Sequence, residues 1–145
     1  MYDVYDIVNK ILYSAAESDT GEYISNMKLQ KLLYYQQGFH LAYFGTPLFE
    51  NEIEAWMYGP VVPSVYKMYE NYGKKGIDNY TDDVIILTDK EEDLFNDVMS
   101  TYGEYSAIGL MNLTHSEKPW QSISAGVGNI ITKDKMKSFF KTKLS

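Results

Sequence analysis

The chain has no cysteine among its 145 residues. Disulfides, iron–sulfur clusters, thiolate zinc sites and a cysteine nucleophile are therefore excluded, and the composition fits a cytoplasmic location. Arginine is also missing: all 13 basic residues are lysine, set against 20 acidic residues for a formal net charge of −7. An acidic chain without a single bidentate guanidinium fork is a poor match for nucleic acid as a partner. No stretch approaches the roughly 18 consecutive apolar residues of a membrane span. The opening MYDVYDIVNK lacks a basic segment followed by an apolar run, so no signal peptide is expected. The glycine patterns of phosphate cradles, dinucleotide folds and nucleophile elbows are absent as well. Ser25-Asn26-Met27-Lys28 fits S-x-x-K, but no K-T-G partner accompanies it, and Ser25 reads as a helix cap. No cofactor is expected.

A chain of this size folds to roughly 7,600 Å² of surface and buries about 69% of what it exposes unfolded, enough for a core without staples. Periodicity predicts a mainly α, compact single domain over residues 1–145, with six to seven helices. The first helix carries Val4, Ile7, Val8, Ile11, Leu12 and Ala15 on one face and ends at Ser18-Asp19-Thr20-Gly21. The second, capped by Ser25 and spanning about 26–44, is apolar on nearly every side, which marks a central helix. Helices are further predicted from Pro63 to about Tyr72, from the capping box Thr88-Asp89-Lys90-Glu91 to Tyr102, and from Ser106 through Leu113. A short one around Trp120, capped by Ser116 or Thr114, and a last one from about Thr132 complete the set. Alternation over 53–58 and the apolar run 84–88 predict one short antiparallel strand pair, with Gly59 to Pro63 as a rigid turn.

Tyrosine is abundant, at 14 residues. It combines apolar area with a polar tip and suits half-buried and recognition positions, although AT-rich codon usage would produce the same excess. Trp56 and Tyr58 alternate onto one side of a strand beside the Pro-fixed turn, an arrangement that resembles a preorganised binding hot spot. The structural alternative is that Trp56 anchors the strand on the central helix. His40 reads as a hydrogen-bonded core or groove residue. His115, two residues before Glu117, reads as a local helix cap or as half of an acid–base pair. Charge is segregated: residues 78–104 hold nine acids and one base, whereas 133–143 hold five lysines and one acid. The lysines at 133, 137 and 141 share a helix face, the one place where local DNA contact is conceivable.

The strings KLQKLLYYQQGFHLA from Lys28, G-x-P-L-F from Gly45, and IEAW-x-YGPVVP-x-VY from Ile53 closely resemble the Panacea domain family, DUF4065. Tyr102-Gly103, Ser106-Ala107, Leu113-Thr114-His115-x-Glu117-x-Pro119-Trp120 and Phe140 continue the match. Where the family commonly reads YYAQGW, this chain has Gln36 and Phe39. The resemblance implies an antitoxin-like protein of phages and mobile elements that neutralises a cognate toxin encoded beside it by direct contact, in some members by delivery to a cellular protease. It implies no enzymatic activity. Some relatives carry an added DNA-binding region for which this chain has no length left, so operator binding is not expected. The expected partner surface is Trp56, Tyr58, Gly59, Pro60, Val61 and Pro63 with Lys31, Tyr35 and His40 from the central helix. His115, Glu117 and Trp120 form a secondary candidate site. The enzymatic alternative, a hydrolase or nuclease, needs His115, Glu117 and His40 in one pocket.

Overall fold

A computed structural model describes residues 1–19 and 21–144. Thr20, within the predicted end of the first helix, lies outside the described residues. In chain order the elements are α1 (Val4–Ala16), α2 (Asn26–Phe44), β1 (Ile53–Trp56), β2 (Gly59–Val61) and α3 (Pro63–Tyr69), which runs into a 3₁₀ turn over Glu70–Tyr72. Then follow α4 (Asp89–Tyr102), α5 (Ala107–His115), α6 (Lys118–Gln121), β3 (Ile130–Ile131) and α7 (Lys133–Lys141). The chain is mainly α, as its periodicity predicts, and its accessible surface of 7792 Å² matches the expectation for its mass.

Helix α2 is the axle. The Ser25 hydroxyl accepts from the Lys28 amide at its start, Gly45 closes its end, and α1, α4, α5 and α7 pack around it. Sixteen of its 19 residues are buried. A helix surrounded on all sides must bury polar residues too, and each needs a partner. Asn26 donates to the Tyr66 carbonyl, Gln36 to the Phe95 carbonyl, and Gln37 to the Phe49 carbonyl while accepting from the Leu48 amide. Gln30 donates to Asn26 and accepts from the Val62 amide. Lys28 pairs with Glu22 and donates to the Gly103 carbonyl. The polar residues of α2 are thus clamps that hold the surrounding loops. Closest approach occurs at Gly38, where a Cβ would lie 2.1 Å from the buried Phe140 ring of α7.

The strands differ from the expectation. Residues 84–88 form no strand, and side chains take several of their backbone groups. Lys10 donates to the Ile85 carbonyl and Glu92 accepts from the Leu87 amide. Strand β1 instead pairs antiparallel with β2 on one side and β3 on the other. The predicted turn at Gly59 to Val61 is therefore the returning strand of a hairpin with Met57-Tyr58 at its tip. Gly59, at φ +116°, supplies the left-handed residue that follows such a turn. Pro60 is accommodated because β2 is an edge strand and needs no amide there. The cap of α6 also differs: Ser116 and Thr114 hydroxyls donate back to the Leu113 and Met111 carbonyls, and Glu117 occupies the N-cap position without a side-chain hydrogen bond.

Candidate functional site

The hairpin tip, α2, α3, α5 and the 125–127 loop enclose a groove of about 880 Å³. Its rim is apolar and open: Met57, Tyr58, Ile108 and Val127 line it at 69%, 58%, 56% and 82% exposure. Large apolar side chains gathered at one mouth are unusual on a surface that has no partner. Trp56 lines the same groove, held by a hydrogen bond to Glu54 at 2.9 Å and edge-on packing against Tyr66 at 5.1 Å. Its carbonyl accepts from Trp120 at 2.8 Å, so the hairpin is fixed to α6.

Lys31 faces the groove from α2 and is only 1% exposed. Burial alone lowers its ammonium to about 8. Among the described residues it has no hydrogen-bond or ion-pair partner, unlike the other buried polar side chains of α2 named above. Its stem passes under the hairpin at Gly59, where a Cβ would sit 2.8 Å from Lys31 Cε and 3.0 Å from Thr114 Oγ1. Glycine at 59 thus serves both the turn and the lysine beneath it.

Of the expected surface residues, Trp56, Tyr58, Val61 and Lys31 come together on this groove. Gly59 and Pro60 are buried in β2, and Pro63 opens α3. Tyr35 and His40 lie elsewhere. His40 is 5% exposed, with Nδ1 bonded to the Thr46 carbonyl at 2.5 Å and Nε2 to Glu91 at 2.6 Å. Burial opposes ionisation of Glu91, but hydrogen bonds donated by Tyr2, His40 and Thr88 outweigh it and bring the carboxyl down to about 2. This is a core clamp between α2 and the capping box of α4. Met57, Ile108 and Val127 were not foreseen; the hint for Val127 is an apolar side chain isolated between two glycines.

Tyr35 belongs to a second buried cluster. Tyr34 and Tyr35 both donate to the Glu117 carboxyl at 3.1 Å, and Tyr35 stacks on Tyr102 at 4.0 Å. Burial pushes Glu117 up to about 7, against the two phenol hydrogen bonds and the Lys143 charge. His115 is stacked on Trp120 at 4.0 Å, and among the described residues its buried Nε2 has no partner, so it caps nothing through that atom. No direct hydrogen bond joins any two of His40, His115 and Glu117: His40 is held by Thr46 and Glu91, and Glu117 by Tyr34 and Tyr35. Among the described residues no group of three or more acidic or histidine side chains could hold a metal ion. None of their helices is long and apolar enough to cross a membrane. The basic stripe of α7 is partly engaged, since Lys133 bonds to the Glu50 carbonyl and Glu52.

A helical scaffold wound around one buried helix, with a lysine-floored apolar groove beside a rigid hairpin, defines the structural class. The chain belongs to the antitoxin SocA-like, Panacea domain family, whose sequence model matches residues 29–121. Antitoxin SocA of Caulobacter vibrioides (strain NA1000 / CB15N) is 35% identical over 138 residues, covering 87% of this chain and 72% of that protein. No solved structure matches the chain. The matched span includes Lys31, the hairpin and Ile108.

Proposed function

We propose that this chain is a cytoplasmic antitoxin that neutralises a small toxin encoded beside it, by direct contact through the groove between the hairpin, α3 and α5, with no chemical step of its own. Residues 1–145 act as one unit in this role. The observation that carries the reading is the open apolar rim beside a rigid Trp56 hairpin. The 35% identity to a protein named antitoxin SocA supports the toxin as the class of occupant. Rigid aromatics and aliphatics preassembled at a surface lose little entropy on binding, which is how a small interface gains affinity.

The test is growth rescue and pull-down with the product of the adjacent gene. Tyr58→Ala and Val127→Asp change exposed side chains and leave the core untouched, so loss of rescue in folded protein reports on the groove. Unchanged binding and rescue in Trp56→Ala combined with Tyr58→Ala would place the contact elsewhere. Toxin half-life then separates masking, which leaves it unchanged, from delivery to a cellular protease, which shortens it.

A further inference from the structure

We propose that the groove captures a segment of the toxin that sets one Asp or Glu side chain on the Lys31 ammonium, with apolar residues on either side of that acid. This inference rests on the antitoxin reading and specifies how the groove recognises its occupant.

An ammonium buried without a partner is unfavourable, and the usual remedy is a counter-charge or several acceptors. The neighbouring polar side chains of α2 find theirs inside the chain: Asn26 on Tyr66, Gln30 on Asn26 and Val62, Lys28 on Glu22 and Gly103. Lys31 does not, and it lines the one face of α2 that opens on the groove. An ammonium has three donors and no acceptor, so its missing partner must accept. A carboxylate matches a single cation in charge. A phosphate would bring a second charge into a mostly apolar groove whose lining holds one further cation, Lys74, and one anion, Glu70.

The flanking chemistry follows from the rim, since Met57, Tyr58, Ile108 and Val127 can cover only apolar side chains favourably. The occupant engages through side chains and not by strand addition, because the β2 edge offers little backbone. Pro60 has no amide hydrogen, and the Val62 amide is already donated to Gln30. An acid presented by a side chain therefore fits better than one at a chain end.

The experiment uses the full chain and the adjacent gene's product, with each Asp and Glu of that product replaced in turn by Asn or Gln. Lys31→Met is expected to fold and to bind roughly thirtyfold more weakly or worse, the loss typical of truncating one desolvated charge pair. One acid replacement in the toxin should show the same loss, and combining it with Lys31→Met should add nothing further. If Lys31→Met does not fold, Lys31→Gln and the toxin-side replacements carry the same comparison. Binding within about twofold of wild type for Lys31→Met, no sensitive acid in the toxin, or a loss seen only on amidating the toxin's C-terminus would each overturn the inference while leaving rescue intact. Saturable binding of octanoate in the groove with no effect of the toxin acids would also overturn it, in favour of a small carboxylate ligand. Failure of the wild-type chain to bind or rescue overturns the antitoxin reading itself.

Discussion

Replacing Lys31 by Met should stabilise the free protein while it disables the groove. Met has nearly the length and shape of the lysine stem, so packing under Gly59 is retained and the ammonium alone is removed. In the folded chain burial lowers Lys31 from an ordinary value of 10.5 to about 8. A cationic group lowered on folding disfavours the folded state wherever it is charged in both states, here below about pH 8. The difference between those two values corresponds to about 3 kcal/mol at neutral pH, as an order of magnitude. For a chain of this size that is a rise in melting temperature on the order of 6–12 °C. Between about pH 8 and 10.5 the folded wild type sheds the proton first, so its stability rises and the gap to Lys31→Met closes. Tyrosine ionisation acts in the opposite sense above pH 10, since burial raises Tyr34 and Tyr35, but it is common to both proteins and cancels in their difference. Calorimetric melts of both chains at pH 7, 8, 9 and 10 provide the measurement. A less stable Lys31→Met at pH 7, or a gap that does not shrink with pH, would show that the ammonium has a favourable partner and would refute the reasoning.

Gly38→Ala should destabilise despite a helix-propensity gain of about 1 kcal/mol, because its Cβ would lie 2.1 Å from the Phe140 ring, buried at 0% exposure. A melt at or above wild type would disprove that close approach. Glu117→Gln should be more stable than wild type at pH 8 by about 3 kcal/mol and equal to it near pH 4. The sign follows from an acid raised from 4.5 to about 7, whose contribution is full below pH 4.5 and lost as pH rises through 7. Urea titrations at both pH values check this, and a pH-independent offset would contradict it.

Local signals made much of the scaffold legible. Ser25 and Gly45 bracket α2, the Thr88–Glu91 capping box opens α4, and Thr132 opens α7. Each is a backbone requirement met within four residues, which is why sequence alone reveals it. The hairpin was missed because Gly-Pro ordinarily marks a turn. Only the edge position of β2 permits Pro60 in a ladder, and an edge is a property of the assembled sheet. The 84–88 segment reads as a strand by composition, yet its Leu87 amide is claimed by Glu92 five residues on and its Ile85 carbonyl by Lys10, 75 residues away and invisible in a window of residues. The same limit applies to the site. Trp56, Tyr58 and Lys31 stand out by type and place, whereas Tyr35 and His40 looked equally available. Their partners Glu117 and Glu91 lie 82 and 51 residues away along the chain, and those contacts draw both side chains into the core.

The segregated charge changes meaning in three dimensions. Of the nine acids over 78–104, Glu91 holds His40 and Tyr2, Glu92 holds Lys10, and Asp78 accepts from Tyr72. Of these contacts the Lys10–Glu92 pair sets a full cation against an acid, whereas the Tyr2 and Tyr72 hydroxyls are neutral donors that leave the charges of Glu91 and Asp78 in place. What remains acts at long range, is screened by salt and governs the rate of encounter. In the proposed complex Lys31 would act at contact, inside a mostly apolar groove where screening is small, and would set how long the complex lasts. The two demands on an occupant are then opposite in sign and fall on different parts of it. In the proposed complex a toxin that is basic overall would be attracted by the net negative charge of the chain, and an acid exposed on its apolar face would be held by Lys31. That combination discriminates more strongly than net charge alone, because an indiscriminately basic protein would approach readily and find in the groove a buried cation that repels it.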